Sequence, residues 1–235
     1  MASDVDICNL ALARLGDEAN VSSINPPDQS AQANYCARFY PLSLQAILDD
    51  NNWGFATKTV TLAAASVNDS SLWPYAYEVP SDIVNIIALF DANAVGDTNY
   101  GGSVNSSTGT LYGAGSLPGQ GTANRFATHG NQQNYSLEMD SNGNSILYTD
   151  QANALLKYAA YVTNTQSFPP SFVDALAWKL ASNLAGVIIK GDVGVGAAIK
   201  CIQAYQAALI NAVNSDTQNR HVFLRPIPSG IAARA

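Results

Sequence analysis

The chain has 235 residues, enough to bury a core in one large domain or in one domain with a loose insertion. Its residues are 47% hydrophobic and only 12% charged, about half the usual charged share, so Asn, Gln, Ser, Thr and Gly must fill the surface. A formal charge of -7, with 11 basic residues spread along the chain, excludes a dedicated nucleic-acid binder, which needs a basic stripe.

Ser3 or Asp4 is placed to cap a first helix with Val5, Cys8, Leu12 and Leu15 on its apolar side, and Gly16 ends it. Asn25–Pro26–Pro27 makes a rigid turn, after which Asp28 caps a helix running to about Asp50. Its apolar side reads Ala31, Tyr35, Phe39, Leu42 and Ala46, with Trp53 nearby. Pro41 lies inside and either kinks this helix or divides it.

Beyond Trp53 the period changes. Lys58–Leu62 and Tyr75–Val79 alternate and predict half-exposed strands, while Ile83–Phe90 is continuous and β-branched, as a more buried strand would be. From Asp91 to about Gln133 glycine, serine, asparagine and threonine dominate. Tyr100, Leu111, Tyr112 and Phe126 are spaced apolar points that would order this insertion as a hairpin extension. Tyr135–Met139 and Ser145–Thr149 flank an Asn142–Gly143 turn, the strongest hairpin signal in the chain. Leu156, Tyr158, Ala160 and Val162 alternate as a last strand.

Ser167 then caps a helix with Pro169 or Pro170 in its first turn, a stripe of Phe172, Leu176, Leu180, Leu184 and Ile188, and Lys190–Gly191 at its end. Asp192 or Gly194 starts a final helix reaching Asn214, with Val195, Ile199, Ile202, Leu209 and Val213 facing a partner surface. Residues 216–235 have no period and read as an extended arm. Helices at both ends of consecutive strands without helical crossovers define an α+β fold with an antiparallel β-rich middle (57–163), in one domain covering 1–215.

Little in the chain points to catalysis. His129 and His221 stand alone, outside metal-ligand spacing. Gly191, Gly194 and Gly196 follow a helix rather than a strand, so they read as an interhelical turn and not a dinucleotide loop. Asp140, Asn142 and Asn144 begin like a calcium loop but lack its glycine position and late glutamate. No catalytic residue, cofactor or metal is expected. Cys8, Cys36 and Cys201 are unpaired in spacing and predict buried free thiols. The start MASDVDICNL lacks a secretory pattern, and no run approaches the roughly 20 apolar residues of a membrane span, so no membrane partner is expected.

Four stretches, taken in order, carry a resemblance: VDICNLALARLGD; Asp28–Ser43 leading to Trp53–Gly54–Phe55; YAYEVPSDIVNI; and the block from Leu156 through FPPSFVDALAWKLASNLAGVI. Together they resemble the head-to-tail adaptor proteins of short-tailed bacteriophages, also called tail tubular protein A or tail accessory factors. The likeness covers about three quarters of the chain; the insertion at 91–133 lies outside it.

The resemblance implies a structural virion protein, located in the tail or neck and assembled in the host cytoplasm. It implies a homo-oligomeric ring, typically a dodecamer, beneath the portal protein. Such a ring extends the DNA channel, so that DNA passes without specific binding, and offers a platform to the tail nozzle or tube and to tail fibres. Carried onto this sequence, the long helices are the ring body. Arg220, Phe223, Leu224, Arg225 and Ile227 form the portal-binding arm, and Tyr100, Tyr112 and Phe126 belong to the tail-side surface. Trp178, Lys179 and Asn183 are the candidate subunit interface, with a core-edge tryptophan as the competing account of Trp178. Two other readings stay open: a glycan-binding module built on the Tyr- and Gly-rich insertion, and a tail-associated hydrolase using carboxylates such as Glu78, Asp82 and Glu138.

Overall fold

The computed structural model describes residues 2–18, 20–91, 103–105, 110–112, 133–140 and 143–219. The fold is α+β, with helices from both ends of the chain and an antiparallel sheet region between them in sequence. Among the described residues, contacts divide it into two compact units: residues up to Thr57 together with 159–219, and Lys58–Tyr158.

The first unit holds α1 (Asp4–Arg14), α2 (Ala31–Asp49), α3 (Pro170–Ile188) and α4 (Asp192–Asn219). A reciprocal cap starts α1: Ser3 Oγ accepts the Asp6 N–H at 3.1 Å, and the Asp6 carboxylate accepts the Ser3 N–H at 2.9 Å. Gly16, at φ +76°, follows its end. The buried face is Ile7, Cys8, Ala11 and Leu12; the expected Val5 and Leu15 are only partly buried.

The cap of α2 is Ser30 rather than Asp28. Ser30 Oγ accepts the Ala33 N–H at 3.0 Å. Gln29 has φ +72° and breaks the helical run after Asp28, whose carboxylate instead closes the turn by accepting the N–H groups of Ser22 (2.7 Å) and Ser30 (3.1 Å). The helix passes Pro41 without interruption. Its buried face is Ala33, Cys36, Tyr40, Leu44, Ile47 and Leu48, one step round from the expected one, and Leu42 is 57% exposed. Both faces carry apolar residues, so spacing alone leaves the choice open. The buried indole of Trp53 marks the true one, donating to the Ile47 carbonyl at 2.7 Å.

In α3 the stripe of Phe172, Leu176, Leu180 and Leu184 is fully buried as expected, alternating with Ala175, Ala177, Ala181 and Ala185, while Ile188 is only partly buried. Each fully buried Leu or Phe contributes roughly 1.5–3 kcal/mol. Ser167 is not the cap: it sits in a 3-10 turn, Thr165–Ser167, and its hydroxyl donates to the Asn164 carbonyl at 2.7 Å. Pro169 occupies the cap position and Pro170 the first turn, where a missing N–H costs nothing.

Helix α4 differs most from expectation. It runs to Asn219, and Asp216, read as part of the arm, is buried with its carboxylate accepting the Gly54 N–H at 2.9 and 3.2 Å. Its buried face is Gly194, Cys201, Tyr205, Ala208 and Ala212. The expected stripe lies beside that face: Val195, Ile199 and Ile202 are 60%, 53% and 45% exposed. Among the described residues α4 is the one helix long and apolar enough to cross a membrane, a candidate that a search for unbroken apolar runs passes over because lysine, glutamine and asparagine interrupt it.

The second unit contains β1 (Thr57–Thr61), β2 (Tyr75–Glu78), β3 (Ile83–Asp91), β4 (Ser103–Asn105), β5 (Thr110–Tyr112), β6 (Tyr135–Met139), β7 (Ser145–Thr149) and β8 (Ala154–Ala160). Their orders are β1-β8-β3, β2-β7-β6 and β4-β5. The β6–β7 hairpin is antiparallel, with Met139 opposite Ser145, and closes by Asp140 N–H to Asn144 carbonyl at 2.9 Å, with Gly143 at φ +86°. Inside the glycine-rich stretch, β4 and β5 pair antiparallel, Ser103 opposite Tyr112. Strand β3 is less buried than expected, only Ala88 and Leu89 being fully covered.

Candidate functional site

Among the described residues no group of three or more His, Cys, Asp or Glu is placed to hold a metal ion. The three interface candidates on α3 reach three different helices. Trp178 is covered by the Arg14 guanidinium of α1, 4.2 Å from the ring centroid. Arg14 also donates to the Asp174 carbonyl at 2.8 Å and pairs with the Asp174 carboxylate, one turn before Trp178. Trp178 is half-buried at the edge of the core and tied to α1.

Lys179 places its ammonium 4.8 Å from the Tyr205 ring of α4. The Tyr205 hydroxyl donates to the Asp50 carboxylate, just past the end of α2. Burial, and then that bond, push the Tyr205 phenol well above its ordinary range. Asn183 donates to Ser43 Oγ of α2 at 2.8 Å, and Ser43 in turn donates to the Phe39 carbonyl at 2.8 Å.

Lys179 and Asn183 come together in one open groove of about 430 Å³, where Asp50, Ile202, Gln206 and Leu209 join them; Trp178 does not. Of the α4 residues of that groove, Ile202 and Leu209 belong to the stripe expected from the sequence and Gln206 does not. Of the remaining candidates, Arg220, Phe223, Leu224, Arg225, Ile227, Tyr100 and Phe126 lie outside the described residues, and Tyr112 is described only as backbone in β5.

The carboxylates of the hydrolase reading make separate contacts. Glu78 and Glu138 both face Ile146 across the sheet, from β2 and β6, and so stand two strands apart, roughly 9–10 Å. Glu78 also lines an open cleft of about 630 Å³ with Asp69 and Asp140. Glu138 accepts from Ser136 Oγ at 2.7 Å. Asp82 is held elsewhere, by Lys58 Nζ at 2.6 Å and the Tyr158 hydroxyl at 3.0 Å. The Lys58 bond chiefly, aided by Tyr158 and opposed by burial, keeps Asp82 below the usual carboxylate range.

A folded value below the unfolded one means this contact's stability is present above about pH 4 and lost as pH falls through the folded value. Asp82→Asn is therefore expected to flatten the acid limb of stability below about pH 4, measured by urea unfolding across a pH series. A variant with the parent's acid sensitivity would show that the contact does not form in solution.

No protein-family model matches the chain, and no curated protein sequence matches it.

Proposed function

We propose that this chain is a structural subunit of a virion head-to-tail connector. Copies close into a ring, of twelve by the resemblance, between the portal protein and the tail nozzle or tube. DNA passes through the lumen, and the protein performs no chemistry. The observation that carries the reading is that resembling stretches from opposite ends of the chain build one core: Leu12 from the first, Trp53 from the second, and Phe172 and Leu180 from the last belong to a single buried cluster. Residues that are scattered in sequence but shared by one core support a likeness of fold, where isolated apolar matches support nothing.

In this reading Arg220, Phe223, Leu224, Arg225 and Ile227 reach the portal. The last 16 residues hold three of the 11 basic residues and none of the 18 acidic ones, a charge balance opposite to that of the chain as a whole. The groove bearing Lys179 and Asn183 meets a neighbouring subunit.

The test mixes the full chain with purified rings of the portal from the same virus. Expected are co-sedimentation, rings visible by negative-stain microscopy, and protection of Arg220 and Arg225 from trypsin on binding. A chain that neither sediments with the portal nor gains protection at those arginines overturns the reading.

A further inference from the structure

The buried face of α4 climbs through Cys201, Tyr205, Ala208 and Ala212, and its next rung is Asp216, which is 7% exposed. Two physical effects oppose a carboxylate there. Burial strips its hydration. It also stands in the last turn of the helix, at the negative end of the backbone dipole, where no basic residue offsets it.

The residues around Asp216 do not favour a helix either. Ala204, Ala207, Ala208, Leu209 and Ala212 are strong helix formers, whereas within 214–219, Asn-Ser-Asp-Thr-Gln-Asn, only Gln218 is one. Thr217 donates its hydroxyl to the Val213 carbonyl at 2.8 Å, a back-bond that slightly weakens the turn. Thr217, Gln218 and Asn219 are exposed and add little packing.

Asp216 itself supplies the tie. The 3-10 turn Gly54–Ala56 has no side-chain cap from Trp53, so its first N–H needs an acceptor from elsewhere. The Asp216 carboxylate accepts it at 2.9 and 3.2 Å, a charge-assisted bond across 162 residues of sequence.

We propose that residues 214–219 are a latched segment, helical while Asp216 holds Gly54 and added to the extended chain that follows when it does not. Local preference and observed structure disagree here, and such a disagreement marks a state that is held by a distant contact. Released, the segment lengthens from about 9 Å to about 20 Å, so the chain beyond Asn219 gains about 11 Å of reach. The same event frees the Gly54 N–H, so the last turn of α4 and the 3-10 turn open together. The latch goes beyond the connector reading and stands without it.

The experiment is amide hydrogen exchange of the full chain, without portal, read at Gly54, at 216–219 and in the middle of α3. Asp216→Ala gives a latch and a purely local helix end opposite signs. By propensity and dipole alone, alanine strengthens the last turn and its amides exchange more slowly. With the latch, the amides of 216–219 and of Gly54 exchange at least about tenfold faster together, while those from Leu176 to Leu184 keep the parent's rates. Asp216→Asn keeps an oxygen acceptor in place and should recover part of the protection. Asn214→Ala, at an exposed position, should slow exchange about threefold at Gly54 as well as at 216–219, because the two open together.

Slower or unchanged exchange at 216–219 in Asp216→Ala overturns the proposal. So does a rise confined to one of the two sites, or one shared equally by α3, since the latch is local. An Asp216→Asn protein with no recovery, or an Asn214→Ala protein unchanged at Gly54, overturns it as well. Portal co-sedimentation plays no part in these readings, so the connector function stands or falls separately.

Discussion

Trp53→Ala is expected to lose about 3–5 kcal/mol of unfolding free energy, a large part of the roughly 5–15 kcal/mol that holds a typical domain together. Three consequences of the geometry add up. Trp53 is 1% exposed, so nearly its whole ring leaves a cavity. It packs edge-on against Phe172, with centroids 5.0 Å apart, and Phe55 lies at 6.0 Å, so the cluster joining the end of α2 to the start of α3 loses its centre. Its indole N–H is the donor to the Ile47 carbonyl inside the core, and removing it leaves a buried acceptor without that bond. Trp53→Phe separates the contributions: the ring is largely restored and the hydrogen bond is not, for an expected loss of about 1–3 kcal/mol. Urea unfolding followed by circular dichroism measures both. A Trp53→Ala loss under about 1 kcal/mol would falsify the packing account.

Two glycine-to-alanine changes should move stability in opposite directions. At Gly194 an added Cβ would stand 1.7 Å from the Ile189 carbonyl oxygen, 2.8 Å from its carbon and 3.2 Å from the Ala185 oxygen. All three are backbone atoms that cannot rotate away, so α4 must shift off the turn that joins it to α3. Overpacking of this kind costs about 1–3 kcal/mol and occasionally more; the 1.7 Å contact places Gly194→Ala at the upper end. At Gly186, in α3, nothing lies within 4 Å of an added Cβ, and the change to alanine should gain about 0.5–1 kcal/mol from helix propensity alone. Thermal unfolding of the two variants side by side is the measurement, and a Gly194→Ala protein as stable as the parent would refute the close approach.

How far the fold was legible depended on how unambiguous each period was. The α3 stripe from Phe172 to Leu184 was readable because no second apolar face competes with it. Helix α2 offers two such faces, and the spacing points to the wrong one, at Leu42, because the choice is made by Trp53, whose partner at Ile47 is visible only in three dimensions. The β6–β7 hairpin was plain in Asn142–Gly143, whose turn chemistry is local. The Ser3 cap of α1 was read directly, while the caps expected at Asp28 and Ser167 differ for a related reason. Asp28, Ser30 and Ser167 are all good cap residues, and the backbone turn at Gln29 and the 3-10 turn before Phe168 decide which of them caps. In α4 the large residues draw the eye to the exposed face, while the buried face is made of glycine, alanine, cysteine and tyrosine, which carry little hydropathy signal. Asn183 and Lys179 were legible as surface positions, but their reach to Ser43 and Tyr205 was not.

The one-residue offset between the buried face of α4 and the apolar stripe beside it makes the connection before the helix intolerant of changes in length. Successive helical residues are set about 100° apart, which is also the angle between that face and that stripe. Deleting a single residue between Ile188 and Asp192 would carry Val195 to the place of Gly194, Ile202 to that of Cys201 and Leu209 to that of Ala208. Branched side chains would then meet the Ile189 carbonyl and the tightly packed side of α3. Surface turns usually drift in length among related chains. Here Gly191, whose φ of +77° favours glycine, sits in a turn whose residue count is fixed by the phase of α4, so substitutions should accumulate at its other positions where insertions and deletions do not.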